Sequence, residues 1–211
     1  MAFSDLSFKF FTDVGLTTQF VGLYQLTHKT DLSDNPQDLG PLYFGSLGST
    51  GGDTEDRKLE ASSNPGVDQI VLTPTVIISE WEASTAYTLG QTRIPTTPNT
   101  YRYEITTAGT SGINEPTWPT SIGSYVTDGT CIWQCVSKAH PATEIKLALS
   151  SGALGAATAG GALNLGTEIT SGIANAIAIY IRVTNTVTTV ESNTGMPELA
   201  LNINGLFESA V

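Results

Sequence analysis

The chain is poor in charge, and poorest in positive charge. Charged residues make up 14% of its 211 positions, against roughly 25% in ordinary soluble proteins. Only nine are Lys or Arg, scattered so that no run is longer than Arg57-Lys58. With a formal net charge of −11 and a pI near 4.4, there is no basic stripe to neutralise phosphates, so no nucleic-acid partner is expected. Histidine is almost missing. His28 and His140 lie far apart without ligand-like neighbours, and a metal centre needs three or four ligands. The sequence contains no Gly-x-Ser-x-Gly elbow, phosphate loop or dinucleotide fingerprint, and the glycines of Thr106 to Gly112 open no helix that could cradle a phosphate. No cofactor and no metal are expected.

Long hydrophobic runs are lacking too. One of the most apolar, Ile177 to Ile181, is ended by Arg182, far short of the roughly 20 residues of a spanning helix. Met1 to Phe11 has no basic n-region, long apolar core or small-residue cleavage site. The expectation is a soluble chain, made in a cytoplasm without an export signal of its own and with no membrane insertion. The two cysteines, Cys131 and Cys135, do not have the two-residue spacing of a zinc knuckle or redox motif. On one strand they would lie roughly 13 Å apart, beyond the ~7 Å reach of a disulfide. Two reduced, buried thiols are expected, with an intermolecular bridge as the alternative.

In place of charge stand Thr, Ser, Gly and Asn, which favour turns and extended chain over helix. Hydrophobic residues amount to 40%, enough for a core without metal or disulfide staples. Phe3 to Phe10 and Phe20 to Leu26 read as two strands joined near Asp13-Val14-Gly15, with a short helix over 4–12 as the alternative. Residues 31–66 read as turns and loop around a brief strand at Leu42 to Gly45. There Asp31, Asp34, Asn35 and Asp38 lack the pattern of a calcium loop, so a solvated loop is expected. Ile70 to Ile78 reads as a long strand. Thr143 to Leu149 alternates, with Ile145, Leu147 and Leu149 on one face. A short strand around Leu163 and Leu165 follows, then the strongest strand pattern, Ile177 to Val183. Strands over 186–191 and 198–207 close the chain.

No segment holds a helical period over eleven residues, so an all-β, antiparallel β-sandwich of immunoglobulin-like or jelly-roll type is expected. Neither flank has enough strands to close a sandwich alone. Residues 1–79 and 138–211 are therefore read as one discontinuous sandwich, with 80–137 inserted between two strands. Three separate beads, the rival arrangement, would leave long unpaired edges.

The segment 80–137 holds all three tryptophans and four of the seven tyrosines, among turn-forming Gly, Pro, Asn and Thr. Aromatic rings cover the C–H faces of sugars while edge hydroxyls are hydrogen-bonded. Trp81, Tyr87, Tyr101, Tyr103, Trp118 and Trp133 are thus candidate carbohydrate-contact residues, and the core of a small module is the competing role. Glu80, Glu82, Glu104 and Glu115 lie in the same segment. Two of them across a groove would suit glycoside hydrolysis, but spacing alone cannot place two across a sugar, and no catalytic residue is assigned.

Two resemblances follow from these residues. Trp81-Glu-Ala-Ser-Thr-Ala-Tyr87-Thr-Leu-Gly90 with Tyr101-Arg-Tyr103 resembles the small carbohydrate-binding modules appended to bacterial chitinases. Those modules place an exposed tryptophan pair after the tyrosine strand. Here Glu104 to Gly112 has no aromatic, which favours core packing for the tryptophans. Ala86 to Cys135 is similar to modules that recur in tailed-bacteriophage virion proteins, with Glu115-Pro-Thr-Trp118-Pro and Asp128-Gly-Thr-x-x-Trp133 as marks. The flanks, such as Leu42 to Ser49 and Ala178 to Gly195, resemble sandwich domains of phage head-decoration, tail and fibre proteins. The resemblance implies a non-enzymatic structural protein of a virion, made in the host cytoplasm. Capsid decoration is the leading expectation, and a tail or baseplate protein or adhesin whose insert binds host surface carbohydrate is the alternative. The partners implied are major capsid or tail proteins, further copies of the chain on the particle, and, in the alternative, a host surface glycan.

Overall fold

A computed structural model describes residues 6–51, 55–188 and 198–211. Among them the only helical turns are short 3₁₀ pieces, and the strands pair antiparallel in all five sheets. The protein is all-β, with stacked antiparallel sheets as in a β-sandwich. No described helix is long and apolar enough to cross a membrane.

The strands in chain order are β1 (Lys9–Phe11), β2 (Gln37–Gly45), β3 (Arg57–Ala61), β4 (Ile70–Val76), β5 (Ala86–Tyr87), β6 (Thr92–Arg93), β7 (Tyr101–Thr107) and β8 (Gly109–Thr110). They continue as β9 (Tyr125–Asp128), β10 (Cys131–Lys138), β11 (Ile145–Ala148), β12 (Leu163–Gly166), β13 (Glu168–Thr170), β14 (Ile177–Val183), β15 (Leu199–Ile203) and β16 (Leu206–Ala210). The chain divides into two compact units. One comprises Met1–Thr75, Ala142–Asn185 and Leu201–Val211, and the other Val76–Pro141 and Thr186–Ala200.

The first unit contains a sheet ordered β1-β2-β14-β11, the three-stranded sheet β13-β3-β16, and all of the three-stranded sheet β12-β4-β15 except Val76 of β4 and Leu199 and Ala200 of β15. Its core follows from alternation, because successive side chains of a strand point to opposite faces. On β14, Ile179 and Ile181 are buried, and Ile179 stands opposite Leu42 of β2. Phe8, Phe44, Leu59, Ile70 and Leu72 are among the other fully buried side chains of this unit. On the outward side of β14, Arg182 makes a two-pronged pair with Asp38, at 2.5 Å from Nε and 2.7 Å from Nη2.

Several strands depart from the sequence reading. β2 begins at Gln37, five residues earlier than expected, because pairing with β14 supplies the ladder that Asp38 and Pro41 do not advertise. The segment Arg57–Ala61, read as loop, is the central strand of its sheet. Leu59 and Ala61 are fully buried there, and Lys58 reaches the buried Glu60 at 3.2 Å. Residues 20–26 form no strand, nor do 186–188, and 189–191 lie outside the described residues. Leu149 is exposed, because β11 ends at Ala148.

The second unit has a sheet ordered β6-β7-β10-β9 and the short pair β5-β8. Its long strand β10 buries alternate residues Cys131, Trp133, Cys135 and Ser137. The segment 186–200 belongs to this unit. Glu198 accepts a 2.9 Å contact from Arg102 of β7, both side chains being almost wholly buried. The Glu198 carboxylate also takes the His140 N–H at 3.1 Å, and its carbonyl the Ile77 N–H at 2.9 Å.

Candidate functional site: the aromatic unit

The six candidate contact residues do not form a surface row. Trp81, Tyr87, Tyr103 and Trp133 are buried in one cluster with Ile105, Cys131 and Cys135, and Tyr101 and Trp118 are half-buried against it. The physical reason is the size of the unit: a small β module must bury its largest side chains to gain enough apolar area. The rings interlock. Tyr87 meets Trp133 edge-on at 4.9 Å, Trp118 meets Trp133 edge-on at 5.6 Å, and Tyr103 lies 4.3 Å from Trp118. As a contact surface for a sugar, Trp81, Tyr87, Tyr103 and Trp133 are therefore out of reach.

At the centre sits one carboxylate. Asp128, 3% exposed, ends β9. Its Oδ2 accepts the Nε1–H of Trp81 at 2.8 Å and of Trp133 at 3.0 Å, and its Oδ1 accepts the Gly112 N–H at 2.7 Å. A buried indole N–H needs an acceptor, and a buried carboxylate needs donors. This group meets both needs at once. Gly129 turns the chain from β9 into β10 at φ +59°, and a Cβ there would stand 2.3 Å from the Thr110 carbonyl. Thr130 Oγ1 accepts the Thr110 N–H at 2.8 Å. Each element of Asp128-Gly-Thr-x-x-Trp133 thus has an architectural task.

Glu115 does the same for the second motif. It accepts Trp118 Nε1–H and the Thr96 N–H, at 2.8 and 2.9 Å, and a short bond from the Thr96 hydroxyl. Burial alone would raise its carboxyl, but the bonds from the Thr96 hydroxyl, Trp118 and the Thr96 N–H outweigh that and hold it below the usual carboxylate range. The Tyr103 hydroxyl donates to the Pro119 carbonyl at 2.8 Å and accepts from Asn99 at 2.7 Å. Burial pushes its ionisation up to about 12. Cys131 and Cys135 are buried and are not joined to each other. Burial first, and the charge of Asp128 second, raise the Cys131 thiol above its ordinary value.

Of the other carboxylates in this unit, Glu80 and Glu82 are exposed and Glu104 is half-buried on β7. In the first unit the acidic loop is engaged locally. Asp31 takes the Ser33 N–H, Asp34 the Lys29 N–H, Asp38 pairs with Arg182, and Asn35 bonds Asn185. Among the described residues no three metal-ligating side chains cluster.

The sequence reading missed one surface aromatic. Tyr125, on the edge strand β9, is 60% exposed, three residues after the exposed Ile122. Alternation on β9 could have found it, since Asp128, an odd number of positions away, points inward. Compared with known proteins, the chain matches no protein-family model, no curated protein and no solved structure.

Proposed function

We propose that this chain is a non-enzymatic structural component of a tailed-bacteriophage particle, a capsid decoration protein in which the sandwich supplies the particle contact and the aromatic unit the outward-facing part. One observation carries the reading. Both motifs that mark the resemblance to virion modules, Glu115 to Trp118 and Asp128 to Trp133, are engaged in bonds that hold their own unit together. Such a unit offers a stable surface rather than a cleft lined with reactive groups. Many copies on one scaffold compensate for weak single contacts.

The test is compositional. Particles purified through a density gradient are expected to contain the chain at a fixed ratio to the major capsid protein, measured by quantitative mass spectrometry. Particles without the chain would overturn the proposal. A single observation favours the adhesin alternative, the exposed ring of Tyr125. Glycan-array binding that Tyr125→Ala abolishes would replace decoration with host attachment.

A further inference from the structure

After β1 the chain turns through residues 13–17 and comes back along that strand. Thr12 N–H bonds the Thr18 carbonyl at 2.9 Å, Phe20 N–H bonds the Phe10 carbonyl at 2.7 Å, and Phe11 faces Gln19 in an antiparallel bridge. The return strand then leaves. Gly22 takes φ +123°, a conformation open to glycine and rare for other residues. Beyond the bend, among the described residues, no hydrogen bond reaches a backbone group of residues 21–26.

The side chains of this segment are those of a strand that has lost its sheet. Val21 is 79% exposed, Leu23 62% and Tyr24 43%, while Phe20 stacks on Tyr24 at 4.9 Å. Phe, Val, Leu and Tyr fit a pleated, half-buried surface. Backbone N–H and C=O groups without partners, among exposed apolar side chains, are a template for pairing with another strand.

We propose that residues 20–26 are a self-association arm that pairs antiparallel with the same residues of a second copy of this chain. Two features select a second copy. An antiparallel pair of identical segments is related by a two-fold axis, so each copy satisfies the other's free backbone groups and covers the other's Val21, Leu23 and Tyr24 with no third component. The chain carries a net charge of −11, yet from Val14 to His28 no residue bears a formal charge with histidine neutral. Copies that meet along this stretch do not bring like charges face to face. An arm this short makes an interface under about 1,200 Å², so the pair is weak in dilute solution and is reinforced where copies are held close together. The inference stands apart from the virion reading and is tested without a particle.

The experiment is sedimentation velocity on the full chain over a hundredfold range of concentration. A reversible monomer–dimer equilibrium is expected. The double variant Leu23→Asp/Tyr24→Asp is expected to weaken it by about tenfold or more, since it removes apolar contacts and sets carboxylates opposite one another. Phe207→Ser, at an exposed position on β16, is expected to leave it unchanged. Hydrogen exchange on the unmodified chain gives a readout that needs no variant: the amides of residues 21–26 gain protection as concentration rises. A chain that stays monomeric throughout, a dimer that survives the double variant, or amides at 21–26 that gain no protection would each overturn the inference. So would an arm that orders only on a capsid protein.

Discussion

Replacing Asp128 with alanine removes the acceptor on which Trp81, Trp133 and Gly112 converge. Each hydrogen bond to a charged acceptor contributes about 1.5–3 kcal/mol, and here the three donors would be left in a buried site. Some relaxation and water entry offset part of the sum, so a loss of about 4 kcal/mol is expected for Asp128→Ala. Asp128→Asn keeps the shape. Its amide oxygen can still accept both indoles, while its NH₂ group faces the Gly112 N–H and loses that bond, for a loss of about 1–2 kcal/mol. The assay is urea unfolding followed by tryptophan emission, which reports on the second unit alone because all three tryptophans lie in it. At an m-value of about 2 kcal/mol/M, the alanine variant's midpoint falls by about 2 M. An alanine variant within about 0.5 kcal/mol of the parent, the range of ordinary surface substitutions, would refute the central place given to this carboxylate. An asparagine variant as damaged as the alanine one would show that charge, rather than the geometry of acceptance, is what matters.

Three further outcomes follow from the same unit. The carboxyl of Glu115 is held below its ordinary 4.5 by the Thr96 and Trp118 bonds, against the opposing effect of burial. Its stabilisation is therefore fully present above the ordinary 4.5 and lost as pH falls through the lower folded value; the Tm gap between the parent and Glu115→Gln should narrow progressively as pH is lowered from 4.5. Tyr103 is raised to about 12 from 10.0 by burial, so the native fold favours the neutral phenol. Stability should fall as pH rises from about 10 to about 12, and absorbance at the tyrosinate band should show one late-ionising residue that Tyr103→Phe removes. Cys131 and Cys135 are buried, and the Cys131 thiol is raised by burial and by Asp128. A chromogenic disulfide reagent should find no thiol in the native chain and both after unfolding; a fast native reaction would contradict the packing described.

Where one face of a strand is buried, its residues show it. Cys131, Trp133 and Cys135, and Ile179 and Ile181, alternate with partly exposed neighbours and point inward as expected. Arg57–Ala61 hid itself, because Arg57, Lys58 and Glu60 resemble a solvated loop. Only the pairing with β13 and β16 and the Lys58–Glu60 contact make it a buried strand. Residues 20–26 misled in the other direction, since among the described residues the backbone of 21–26 has no strand to pair with despite its β-prone side chains. In the aromatic unit, the tryptophans could be found from composition, and the missing aromatics after Tyr103 pointed to their packing role. Asp128 could not be found that way. As part of an Asp-Gly turn it has an ordinary local explanation, and its bonds reach Gly112 and Trp81 across 16 and 47 residues. Those depend on the fold that the carboxylate itself helps to complete.

The structural role is tested most directly by cryo-electron microscopy of the intact particle. The expected result is density for this all-β, two-unit chain repeated at fixed positions over the capsid shell. A particle that lacks the chain, or one that carries it only at the tail with a glycan seated on the aromatic unit, would contradict it.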